Sequence, residues 1–138
     1  MIQRLTHANI FVLNQQDALA FYRDKLGFEV RYDIPLGDSG VRWLTISPKG
    51  QPDLQIVLAP AVPGPMFDAE TARRMRELIE NGGLGAGVYE TDDIHGDYER
   101  LCGAGVEFVQ PPKEQPYATE AIIKDNSGNR LSLSQLKK

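Results

Sequence analysis

Asn9-Ile10-Phe11-Val12-Leu13-Asn14, then Gln15 to Lys25, then Leu26-Gly27-Phe28-Glu29-Val30 is the stretch that decides the fold, because its plan occurs twice. The second occurrence is Gly87-Val88-Tyr89-Glu90-Thr91-Asp92-Asp93, then Ile94 to Cys102, then Gly103-Ala104-Gly105-Val106-Glu107-Phe108. Each reads as a short strand, a polar turn, one helix, and a glycine followed by an apolar-Glu-apolar strand. Asn14 matches Asp93 and Gly27 matches Gly105, thirteen residues apart in one copy and twelve in the other. The first copy therefore carries one extra residue across its helix. Self-similarity of this kind marks two copies of one supersecondary unit.

Working outward, Leu19, Tyr22 and Leu26 recur at i, i+3 and i+7, and Ile94, Tyr98 and Leu101 at i, i+4 and i+7. Both patterns describe one buried stripe on a short helix. Asn14 or Asp17 can cap the first helix, and Asp92 or Asp93 the second. Three strand-like segments follow each helix: 28–33, 41–47 and 54–58 in the first half, 106–109, 120–124 and 130–135 in the second. Turn residues separate them, including Pro35 to Gly40, Pro48 to Pro52, Pro111-Pro112 and Asp125 to Asn129. The plan is βαβββ, twice, an α+β fold. Between the halves, Ala59 to Pro65 is a Pro-rich linker. Asp68 then offers an N-cap for a helix to about Asn81, with Ala72, Met75 and Leu78/Ile79 on one face and Gly82-Gly83 as the stop. The expected organisation is one domain over residues 1–138, with module 1 at about 1–60, the linker helix at about 61–83 and module 2 at about 84–138.

Composition narrows the function classes. A net charge of −4 argues against nucleic acid as a partner, which normally needs a basic stripe. No apolar run approaches the roughly 20 residues that span a bilayer, so no membrane partner is expected. The start, Met1 to His7, lacks the basic and apolar regions of a secretory signal. The single cysteine, Cys102, excludes an internal disulfide and reads as a small apolar filler on a helix. The expected location is the cytoplasm.

Strand side chains alternate between faces. In the first strand Ala8, Ile10 and Val12 oppose His7, Asn9 and Phe11; at 54–58, Leu54, Ile56 and Leu58 oppose Gln55 and Val57. Leu44 and Ile46 oppose Trp43 and Thr45, and Leu131 and Leu133 oppose Arg130, Ser132 and Ser134. One face is uniformly aliphatic and suits packing against the helices. The other mixes polar and aromatic groups and suits a concave ligand cleft. Trp43 and Gln55 are twelve residues apart, as are Glu120 and Ser132, so Glu120 is matched to Trp43, Ser132 to Gln55, and Ala86 to His7. A one-residue slip would invert every one of these assignments.

Thr6-His7-Ala8-Asn9-Ile10-Phe11-Val12, Ala20-Phe21-Tyr22 with Leu26-Gly27-Phe28, Thr91-Asp92-Asp93-Ile94, Gly105-Val106-Glu107-Phe108 and Asp125-Asn126-Ser127-Gly128-Asn129 together resemble the vicinal-oxygen-chelate superfamily of glyoxalases, bleomycin-resistance proteins and extradiol dioxygenases. The resemblance covers nearly the whole chain. It implies two βαβββ modules forming a half-barrel of mixed sheet around a cleft, helices on the outer face, and a homodimer. Metal-dependent relatives place a His, Gln or Glu on the first strand and a carboxylate on the fourth strand of each module. Carried over, those positions are His7, Gln55, Ala86 and Ser132. His7 matches, Gln55 is a neutral donor, Ala86 has no donor atom and Ser132 is a poor ligand. No cofactor is therefore expected. Were a divalent metal bound, His7, Gln55 and a displaced Glu120 would be its ligands.

Plainer readings stand beside these. His7 can be an ordinary hydrogen-bonded strand residue, Trp43 core, Glu120 a solvated charge, and His95 an exposed helix residue. Asp92-Asp93 reads better as a helix cap than as an acid/base pair, and Gly82 to Gly87 lacks the helix and Lys of a phosphate loop. The leading functional expectation is a small-molecule-binding protein of the bleomycin-resistance kind, taking a planar or cationic ligand. Its cleft residues are His7, Asn9, Phe11, Trp43, Gln55, Glu120 and Ser132. The alternatives are a divalent-metal lyase, isomerase or dioxygenase with a rearranged ligand set, and a dimeric accessory protein.

Overall fold

A computed structural model describes residues 1–137. The chain divides into two compact units between Glu77 and Leu78, and each carries the same plan. The first contains β1 (His7–Val12), α1 (Gln15–Leu19) running into a π-helical turn (Ala20–Lys25), β2 (Glu29–Pro35), β3 (Arg42–Ser47) and β4 (Gln55–Pro60). α2 (Ala69–Glu80) leads from the first unit into the second, which contains β5 (Gly85–Glu90), α3 (Ile94–Gly103), β6 (Glu107–Glu114), β7 (Ala118–Lys124) and β8 (Arg130–Leu136). The sheets have strand orders β1-β4-β3-β2 and β5-β8-β7-β6. In each, the first pairing is parallel and the other two are antiparallel. These are two βαβββ modules in an α+β fold, and neither sheet closes on itself.

Caps fix the helices where polar side chains allow. Asn14 Oδ1 accepts from the Asp17 N–H at 2.8 Å, Asp93 Oδ1 from Gly96 at 3.0 Å, and Asp68 Oδ1 from Thr71 at 2.7 Å. The extra residue of the first module is taken up by its π turn, where Leu26 N–H reaches back five residues to Phe21 O at 3.2 Å. That wider ladder uses one more residue than an α turn to reach the same end. Both helices then stop at a left-handed glycine, Gly27 at φ 77° and Gly105 at φ 84°, where a Cβ would be strained.

The aliphatic faces form the cores. Ile10, Val12, Leu44, Ile46, Ile56 and Leu58 are buried with Ala18, Leu19, Phe21 and Tyr22 in the first unit; Ala121, Ile123, Leu131 and Leu133 are buried with Ile94 and Leu101 in the second. A buried glutamine ties the first helix to its sheet. Gln15 Nε2 donates to Arg42 O and Leu58 O, both at 2.8 Å, and its Oε1 accepts from Arg42 N–H at 3.0 Å. Gln135 does the corresponding work for α3, accepting from Ile94 N–H and donating to Asp92 O, each at 2.9 Å.

The β7–β8 turn is a knot of hydrogen bonds. Asp125, only 4% exposed, accepts the N–H groups of Ser127, Gly128 and Asn129 on Oδ1, each at 2.9 Å, and Asn129 Nδ2 on Oδ2 at 3.0 Å. It seats Gly128 against the last turn of α2, where a Cβ would lie 2.1 Å from Ile79 O.

Candidate functional site

Period-two alternation puts His7, Asn9 and Phe11 of β1 on the sheet face away from α1, with Gln55 and Val57 of β4 and Trp43 and Thr45 of β3. The ladder confirms the row: His7 pairs with Gln55, Asn9 with Val57, Phe11 with Ala59, and Val57 with Thr45. Over part of this face lies a pocket of about 500 Å³. Its floor is Asn9 and Phe11 of β1, Val57, Ala59 and Pro60 of β4, and Trp43 of β3. One wall is the β2–β3 loop through Leu36, Ser39 and Val41, with Arg42 beside it, and the cover is the strap from Val62 to Phe67. Phe67 meets Phe11 edge-on with ring centroids 5.1 Å apart, so the strap is anchored to the floor by an aromatic pair.

Charge in this pocket is already spent. Arg42 donates to both Asp33 oxygens, at 2.9 and 2.8 Å, and to Gln16 Oε1 at 2.9 Å. The guanidinium hydrogen bond holds the Asp33 carboxyl below its ordinary range, and Asp33 in turn raises Arg42. Ser39 is also engaged, donating to Leu36 O and accepting from Val41 N–H, each at 3.2 Å.

Of the residues singled out from the sequence, Asn9, Phe11 and Trp43 line this pocket. His7 does not line it but touches Trp43, ring centroids 5.6 Å apart, with its Nδ1 2.9 Å from Thr6 Oγ1. Gln55 lies beside His7 and accepts from Thr45 Oγ1 at 2.7 Å, outside the pocket. Glu120 and Ser132 belong to the second unit. There the neighbouring Glu120 carboxylate raises the Tyr117 pKa.

The face assignments in the second unit agree with the alternation, but the row assignments do not. Ser132 pairs with Val88 rather than Ala86 on one side and with Ile122 on the other, and Glu120 pairs with Ser134. The cause is loop length. The β3–β4 connection spans residues 48–54 and the β7–β8 connection only 125–129, so an equal spacing of twelve residues does not place two pairs in equivalent rows. Ser132, expected as the counterpart of Gln55 beside Ala86, thus sits between two aliphatic side chains.

That arrangement tests the fit of a divalent metal. The first unit offers one imidazole beside a carboxamide whose oxygen is already bonded to Thr45, and the second offers the Glu120 carboxylate, beside Tyr117, and Ser132 between Val88 and Ile122. Among the described residues no three of His, Cys, Asp or Glu are grouped to hold an ion. Zinc or iron sites need three or more good ligands, so this donor set does not fit one.

The strap residues Met66 and Phe67 and the loop residue Leu36 were not found from the sequence. Their signal was a pair of bulky apolar residues in a Pro- and Gly-rich stretch with neither strand nor helix periodicity. Such residues are costly to expose, and here Phe67 is half-buried while Met66 is 68% exposed at the pocket.

Two βαβββ modules, each with its own open four-stranded mixed sheet, define a vicinal-oxygen-chelate type of fold, and the comparisons make the class specific. The family model for the Glyoxalase/Bleomycin resistance protein/Dioxygenase superfamily matches residues 4–133, and the chain belongs to that superfamily. The crystal structure of UcmS2 is 47% identical with a TM-score of 0.89, covering 97% of this chain and 98% of that one. TnmS3, an antibiotic binding protein from Streptomyces sp. CB03234, is 29% identical with a TM-score of 0.75 over 99% of this chain and 98% of its own. An uncharacterized protein of Shewanella frigidimarina (strain NCIMB 400) is 33% identical over 99% of this chain and 96% of its own length.

Proposed function

We propose that the protein binds and sequesters a planar, largely apolar small molecule without a resident metal. The observation that carries this is the pocket of about 500 Å³ with Trp43 and Phe11 on its floor and Phe67 and Met66 in its cover. Ligand sites typically run to roughly 300–1,000 Å³, apolar with a few placed polar groups, and aromatic floors reward flat ligands by stacking. The likeness to TnmS3, an antibiotic binding protein, supports an antibiotic or a metabolite of similar shape. A homodimer acting in the cytoplasm belongs to the same proposal. β2 is a sheet edge carrying Val30, Tyr32 and Ile34 at 37%, 51% and 49% exposure, apolar groups that a second copy would cover, and the free thiol of Cys102 suits a reducing compartment.

A thermal-shift screen against planar aromatic antibiotics, run before and after dialysis against EDTA, tests the reading. A ligand that binds the folded state raises Tm by mass action, and the rise should survive chelation. Binding that depends on a stoichiometric metal, or no shift with any planar compound, would contradict the proposal.

A further inference from the structure

We infer that Asn9 reads the ligand's polar edge, and that the ligand is an uncharged flat polycycle carrying a hydrogen-bond donor and an acceptor side by side. The inference rests on the pocket of the first unit being the binding site. Among the described residues, four lining side chains can hydrogen-bond: Asn9, Ser39, Arg42 and Trp43. Ser39 is engaged by Leu36 and Val41, and Arg42 by Asp33 and Gln16. The Trp43 indole offers one donor and no acceptor. Asn9 is exposed, and its side-chain carboxamide makes no hydrogen bond to another described residue. Its carboxamide presents a carbonyl oxygen and an N–H₂ together, the complement of an amide or lactam edge.

The same inventory selects against charge. Among the described residues the pocket has one cation, held by Asp33, and no lining carboxylate. An anionic or cationic ligand would lose hydration and find no free counter-charge, and the attraction of the Trp43 and Phe11 ring faces for a cation offsets only part of that cost. A cationic ligand, the other expectation from the sequence, would look for a carboxylate, and Glu120, the one carboxylate among the expected cleft residues, is not among the lining residues.

Trp43 is the one tryptophan of the chain, so its fluorescence reports occupancy directly. Three probes share one three-ring outline: phenanthrene, phenanthridinone with its lactam N–H beside C=O, and the N-methylphenanthridinium cation. Each is titrated into the wild type, Asn9→Leu and Asn9→Ala, with thermal unfolding to verify that both variants fold. The ratio of phenanthridinone to phenanthrene affinity should fall about tenfold in both variants, the worth of a pair of modest hydrogen bonds. Phenanthrene itself should stay within about twofold, since Asn9 makes no apolar anchor, and the cation should bind the wild type more weakly than the lactam. An unchanged ratio in both variants overturns the role of Asn9 while leaving the pocket intact. A cation that binds as tightly as the lactam overturns the selection against charge. If none of the probes perturbs Trp43 or Tm in the wild type, the pocket reading fails and this inference with it.

Discussion

Trp43 and Asp125 show how differently single residues can be read from sequence. Trp43 could be assigned to the face opposite Leu44 because strand alternation is rigid, and the structure lines the pocket with it. Asp125 read only as a turn former, because nothing in a one-dimensional pattern shows that one carboxylate oxygen will accept three backbone N–H groups. Replacing Asp125 with Ala leaves those buried donors without their charged acceptor. We expect a loss of about 2–3 kcal/mol, the usual worth of hydrogen bonds to a buried charged group, measured by urea unfolding. Tyr89 gives a test in alkali. Its hydroxyl donates to Ala86 O at 2.8 Å, and burial, helped by the Asp125 charge, pushes its pKa up to about 12. The folded state thus holds this proton more tightly than the unfolded chain, whose tyrosines titrate near 10. The stabilising contribution is complete below about pH 10 and is lost as pH rises from there toward 12, about 2–3 kcal/mol in all. In Tyr89→Phe, the slope of stability against pH over that window should flatten. An unaltered slope would mean that other groups control alkaline unfolding.

At the scale of elements, the helices and strands were legible because each level of signal agreed: cap, stripe and stop for α2 and α3, alternation for β1, β4 and β8. The one-residue mismatch between the two copies became a π turn, a choice of hydrogen-bond ladder that apolar spacing does not reveal. The row matching failed for a related reason. Alternation fixes which face a residue takes, whereas the row depends on turn length, and the β3–β4 and β7–β8 turns differ. The strap was illegible because irregular segments carry no period. Two predictions belong here. Gly128→Ala forces a Cβ to within 2.1 Å of Ile79 O at a φ of 121°. It should cost at least about 3 kcal/mol by the strain that such positions impose; a change under about 1 kcal/mol would show that the turn can move away from α2. Phe67→Ala should release the strap from Phe11 and weaken any aromatic ligand by about tenfold, roughly the value of one edge-to-face pair plus lost contact area, with little effect on urea unfolding. Equal weakening of folding and binding would mark Phe67 as core rather than cover.

For the whole molecule, the repeat gave the two βαβββ modules, and the resemblance of the quoted motifs pointed to the superfamily that the family model identifies over residues 4–133. The chemistry was harder to see than the ancestry. Metal positions carried over from relatives were judged on residue types, and the strand pairing adds that Ser132 is flanked by Val88 and Ile122. A homodimer predicts a sedimentation mass of about twice the 15.3 kDa chain, independent of added zinc, with Tyr32→Arg shifting it toward monomer; a monomer at all concentrations would remove the dimer from the proposal. The most direct measurement of the central claim is a crystal structure grown with a planar aromatic ligand that raises Tm. Electron density for the ring system should lie against Trp43 and Phe11 beneath the strap from Val62 to Phe67, with no metal bridging it to His7. Density for that ligand elsewhere, with this pocket empty, would contradict the claim.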